Sequence, residues 1–137
     1  MTKDRNKTDH GITAFERRPL SVAERDLIGW LLTRGAHITG TDAKVATSFL
    51  PEIGDLQVIG QCGCGCPSVE LALAGPNCTV PGNAIALADV EGQSPEGTEI
   101  GVILRAANGS LKTLELYARD GRVPFSLPGT KELESFG

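Results

Sequence analysis

Apolar positions recur with two different periods along this 137-residue chain, and the change between them divides it. Residues 1 to about 12, MTKDRNKTDHGI, show no period and are rich in charge, which predicts a mobile tail. In SVAERDLIGWLLTRG, residues 21 to 35, Ala23, Leu27, Trp30 and Leu31 fall at helical spacing. Ser21 followed by Glu24 is a capping-box pattern, Pro19 lies just outside the entry, and Arg34 with Gly35 marks the exit. A second, shorter helix is predicted over about Asp42 to Leu50, where Val45, Ala46, Phe49 and Leu50 form one face and Pro51 stops the turn.

Beyond Pro51 the apolar period falls to that of strands. Leu56 and Val58 open a run whose even positions continue through Gly60 to Cys62, Cys64 and Cys66. After Pro67 the run resumes on odd positions at Val69, Leu71 and Leu73, the mark of a bulge, a bend or a tight hairpin. GPNCTVPGN, residues 75 to 83, is made of turn formers. Ala84 to Val90 is the next strand, EGQSPEG its hairpin connection, and Ile100, Val102 and Leu104 alternate in the strand that follows. Asn108-Gly109 predicts a two-residue hairpin that folds Leu111 to Tyr117 back antiparallel, and Asp120-Gly121 marks one more turn. RVPFSLP, with Pro124 and Pro128, suits an edge strand or an ordered arm. Helices followed by strands imply one α+β domain over residues 13–137, with two N-terminal helices packed on a mostly antiparallel sheet of about five to six strands.

Composition narrows the class. Six aromatics (four Phe, one Tyr, one Trp) are few, so Leu, Val, Ile and Ala must supply the core. A chain of this length can bury about two thirds of its unfolded surface, so neither metal nor disulfide is needed merely to fold. The formal net charge of −4 argues against a nucleic-acid partner, which calls for a basic face. No apolar signal segment opens the chain and its longest apolar stretch, LIGWLL, is far shorter than the ~20 residues of a membrane span. A cytoplasmic location follows as an expectation, in which thiols stay reduced and four cysteines do not imply a disulfide framework.

The candidate chemistry is concentrated in GQCGCGCPS, residues 60 to 68. On a flat strand, alternate residues sit about 6.6 to 6.8 Å apart, at or beyond the reach of a disulfide. Zinc requires four ligands in a tetrahedron at about 2.3 Å from sulfur, and Cys-x-Cys is less usual for it than Cys-x2-Cys. Gly63 and Gly65 can kink the chain, and Cys78 can return from its turn-rich loop, so Cys62, Cys64, Cys66 and Cys78 form a candidate set for zinc or an iron-sulfur cluster. Alternatively the thiols are small core fillers and the protein has no cofactor. A third possibility makes Cys62 or Cys66, at the ends of the run, a nucleophile or redox thiol.

Other candidates are sparser. His10 lies in the expected tail, and His37 follows the first helix, from where it can meet a cysteine only through the fold. HExxH, GxSxG and Walker patterns are absent. Asp89, Glu91, Glu96 and Glu99 cluster around one hairpin without a basic residue among them, which suits a solvated turn, a calcium ion or a basic partner. Glu115 and Tyr117 alternate with Leu114 and Leu116 and mark the opposite sheet face, which can line a groove.

Two stretches, CGCGCPSVEL and NGSLKTLELYARDGRVPFSLP, resemble a small uncharacterised family of bacterial, mainly actinobacterial, proteins in which a capped helix precedes such a Cys-Gly run. The resemblance spans about Leu20 to Pro128 and implies no activity. In size and layout the chain is also similar to small immunity-type proteins that neutralise toxins by surface binding, an analogy that transfers no residue. The expected function is that of a small cytoplasmic, non-catalytic binding or regulatory protein with a protein partner. A monomer or a homodimer is equally compatible with the prolines near the RVPFSLP edge.

Overall fold

The computed structural model of the chain describes residues 12–62, 66–73, 84–121 and 124–134, the side chains of 12–16, 62 and 134 excepted. Six strands form one sheet: β1 (Ile12–Pro19), β2 (Leu56–Cys62), β3 (Val69–Leu73), β4 (Ile85–Gln93), β5 (Glu99–Ala107) and β6 (Ser110–Ala118). Their order is β1-β2-β3-β6-β5-β4, with every neighbouring pair antiparallel. Two three-stranded meanders, β1–β3 and β4–β6, therefore meet along one seam, where Val69 faces Leu114 and Glu70 faces Thr113. The class is α+β, as its pattern implies, but a strand precedes the helices. β1 escapes sequence analysis because its pairing with β2 shifts register between Ala14 and Arg18, and such an irregularity destroys the period of two.

The first helix enters on the expected capping box. Ser21 Oγ accepts from the Glu24 N–H at 3.1 Å, and the Glu24 carboxylate accepts from the Ser21 N–H at 2.8 Å. Arg18, at the end of β1, donates to both Glu24 carboxylate oxygens at 2.9 Å and ties strand to helix. Burial alone would raise the Glu24 carboxyl, but the bonds from Arg18 and Ser21 outweigh it and hold it below its ordinary value.

The helix then outruns its expected end at Gly35. α1 (Val22–Trp30) passes through a π-helical turn, Leu31–Gly35, into α2 (Ala36–Thr39). The inserted turn carries the buried stripe from Leu27, Ile28, Leu31 and Leu32 to Gly35 and Ala36, while Ala23 is exposed and Trp30 is partly buried. Gly35 sits close against β4: a β-carbon there would stand 3.4 Å from Ala88 Cβ and 3.1 Å from Leu31 Cδ2. The true exit is Gly40, at φ 93°, where the Thr41 and Gly40 N–H groups close a Schellman motif on the Ala36 and His37 carbonyls.

The second expected helix is shorter than predicted. α3 (Ala43–Thr47) is capped by Asp42, whose carboxylate accepts from the Lys44 and Val45 N–H groups. Ala46 and Phe49 are buried and Val45 is exposed. Pro51 does not end the helical region, because it sits in the first turn of a 3-10 segment, Leu50–Asp55, where its missing N–H costs nothing.

The hairpin signals hold. Asn108 (φ 55°) and Gly109 (φ 80°) make the tight β5–β6 turn, and Gly121 (φ 77°) follows Asp120 in another. Of RVPFSLP, the described residues, 124–128, form no strand but an arm in which Phe125 and Pro128 are buried. A five-residue helix, α4 (Thr130–Glu134), ends the described chain and seats Leu133 on Gly92 of β4, where a β-carbon would collide with Leu133 Cδ2. Leu56, Val58, Val69, Leu71, Val90, Val102, Leu104, Leu114 and Leu116 join Leu27, Ile28, Leu31 and Leu32 in one core.

Candidate functional site

β2 covers Leu56–Cys62, and of the even-numbered run beyond it Cys66 stands outside any strand, while residues 63–65 lie outside the described residues. The Cys62 side chain, Cys64, Cys78 and His10 lie outside the described residues. Cys66, 8% exposed, stands in a bend and belongs to the core cluster. Its Sγ–H donates to Ser68 Oγ at 3.4 Å. The Ser68 hydroxyl donates to the Leu116 carbonyl at 2.9 Å and accepts from the Leu116 N–H at 2.7 Å.

Proline explains this bridge. Continuing the β3–β6 register past Val69↔Leu114 would set Pro67 opposite Leu116, where proline has no N–H to give. Both Leu116 backbone groups are buried and need partners. The Ser68 hydroxyl, at once donor and acceptor, supplies both. Ser68 carries little signal in the sequence, only that of a serine directly after a strand-breaking proline.

Among the described residues no three His, Cys, Asp or Glu side chains are placed to hold a metal. His37 is exposed on α2, whereas Cys66 is buried beside Ser68.

The second candidate is the sheet face away from the helices. On β5, Ile100, Val102, Leu104 and Ala106 point inward, so Gly101, Ile103 and Arg105 point outward. Glu115 and Tyr117 of β6 and Asp89 and Glu91 of β4 share that outer face through their pairing with Ile103 and Gly101. The Tyr117 ring lies across Gly101, in space that any β-carbon at 101 would fill, and keeps 47% of its surface exposed. Arg105 Nε donates to Glu115 at 3.0 Å, Lys112 Nζ to Glu70 at 2.8 Å and Arg119 to Glu91 at 2.9 Å.

The acidic cluster is thus not free of cations, since Arg119, in the turn after β6, reaches Glu91. Glu96 is tied down separately: its carboxylate accepts from the Ser126 N–H at 3.1 Å and from the Ser126 hydroxyl at 2.7 Å. These bonds, the hydroxyl first, hold the Glu96 carboxyl at about 2. At this end of the sheet a shallow depression of about 470 Å³ is lined by Glu96, Gly97, Thr98, Glu99, Arg119 and Asp120. Its carboxylates outnumber its single guanidinium.

Among the described residues no helix is long and apolar enough to cross a membrane. Set against models of known protein families, curated proteins and solved structures, the chain matches none.

Proposed function

We propose that this is a small cytoplasmic binding or regulatory protein that engages a protein partner with the outer face of its sheet. The observation that supports this is Tyr117: a half-exposed aromatic laid flat on Gly101, between ion-paired rows, with an acidic hairpin end beside it. Tyrosine gives large contact area at low cost in side-chain entropy and is enriched in the energetic centres of interfaces. The carboxylate excess around it selects a partner with a basic surface and gives the encounter a dependence on salt.

The test compares proteins retained by the immobilised wild type with those retained by Tyr117→Ala and by Glu99→Lys, each checked for fold by circular dichroism. A basic protein held by the wild type, released by salt and lost from both variants is expected. Identical retained sets for all three would refute the assignment of this face.

In this reading Cys66 is a core residue and the chain works without a cofactor. Elemental analysis together with a thiol count before and after denaturation checks that part. Stoichiometric zinc or iron, with thiols silent until chelation, would transfer the function to the set Cys62, Cys64, Cys66 and Cys78.

A further inference from the structure

Among the described residues β4 is an edge of the sheet, and its first half, Ile85-Ala86-Leu87-Ala88, is uncharged and apolar, with Ile85 53% exposed. Such a strand is a template for a further strand, because its outward N–H and C=O groups have no ladder partner of their own. Here the groups flanking Ala88 are already taken. Thr41 Oγ1 donates to the Leu87 carbonyl at 2.7 Å, and the Asp89 N–H donates to Thr39 Oγ1 at 2.8 Å. The Thr39 hydroxyl proton goes to the Gly35 carbonyl at 2.7 Å, which leaves the oxygen aimed at Asp89 as an acceptor. The two groups that an incoming antiparallel strand would use around Ala88 are those occupied by the two threonines.

Three features converge on this point. The Schellman turn at Gly40 sets Thr39 and Thr41 on either side of it, the π-helical turn before it seats Gly35 against Ala88, and β4 shifts register between Ala86 and Ala88. The other half of β4 carries Asp89 and Glu91, which deter edge pairing by charge. The two hydroxyl contacts therefore straddle the point where the uncharged half meets the charged one, the first on Leu87 and the second on Asp89.

We infer that the Thr39-Gly40-Thr41 turn is an edge guard, and that the strand it excludes is that of a second copy of this chain. The inference is independent of the outer-face reading: it concerns the rim of the sheet, and its failure leaves Tyr117 untouched.

Sedimentation velocity on the full chain tests it. Thr39→Val with Thr41→Val keeps the shape and removes both hydroxyls, and should tighten self-association about ten-fold or more over the wild type. Thr39→Ser with Thr41→Ser restores the hydroxyls and should behave as the wild type. Adding Asp89→Pro to the double valine variant deletes the freed N–H and should abolish the gain. A folded double valine variant no more associated than the wild type overturns the inference, as does association that survives Asp89→Pro. If the double variant does not fold, amide exchange in Thr39→Ala decides: selective loss of protection at Asp89, with Ala88 and Val90 unchanged, is expected, and unchanged exchange at Asp89 overturns it.

Discussion

Replacing Ser68 by alanine removes a single oxygen and leaves the Leu116 N–H and C=O, both buried, without the partner they share. A buried backbone group left unsatisfied costs about 1–3 kcal/mol, so two such groups place the loss at roughly 2–4 kcal/mol once local relaxation is allowed for. The Cys66 Sγ–H loses its 3.4 Å acceptor as well, a weak bond that adds little. For a chain of this size about 3–5 °C of Tm accompanies each kcal/mol, so thermal unfolding followed by circular dichroism should shift by roughly 6–20 °C. The cause is separable from simple loss of packing. In the Ser68→Ala background, Pro67→Ala supplies an N–H at the position facing Leu116, and should recover about 1 kcal/mol. Stability of Ser68→Ala within about 0.5 kcal/mol of the wild type, the scatter of ordinary surface changes, would show that the bridge does not hold the seam.

Other expectations concern charge and close packing. Because the Glu24 carboxyl lies below its ordinary 4.5 in the folded chain, its contribution is complete above that pH and is lost as pH falls through the folded value. Urea unfolding should thus show Glu24→Gln less stable than the wild type at neutral pH, with the gap closing in acid; a constant gap would assign the loss to something other than ionisation. The Glu96 carboxyl carbon, followed by NMR, should titrate near 2 and move toward the ordinary 4.5 in Ser126→Ala, and a wild-type midpoint near 4.5 would remove the arm contact from the solution structure. Gly92→Ala should lever Leu133 off β4 at a cost of about 1–3 kcal/mol and open the C-terminal helix to limited proteolysis, whereas Gly54→Ala, with open space around it, should do neither.

What could be read along the chain was what neighbours in sequence decide. Ser21 and Glu24 cap each other across three residues, and Asn108-Gly109 turns the chain by its own dihedral preferences, so both were legible. The inward parity of Leu56, Val58 and Gly60 was legible for the same reason. β1 was not, since its register shift hides the alternation and its partner lies some forty residues away. The π-helical turn was not, because an apolar stripe at helical spacing does not show where one residue has been inserted. Of the candidate sites, Tyr117 and Glu115 were placed on the correct face by alternation alone, but the hold of Arg119 on Glu91 depends on the order of strands in the sheet. The purpose of Ser68 emerges only when Pro67 is seen opposite Leu116.

The seam between the two meanders has a kinetic consequence. Within β4–β6, and between β2 and β3, the described strands pair with close chain neighbours, whereas β3 and β6, like β1 and β2, meet only across some forty intervening residues. Hairpin contacts close short loops and form early, while a junction this distant forms late, after the local hairpins have taken shape. Residues whose contacts arise after the transition state govern how fast a protein comes apart rather than how fast it assembles. Ser68, Glu70 and Lys112, all at the junction, thus act as a clasp on the lifetime of the native state, and Asn108-Gly109 sets the pace at which it is reached.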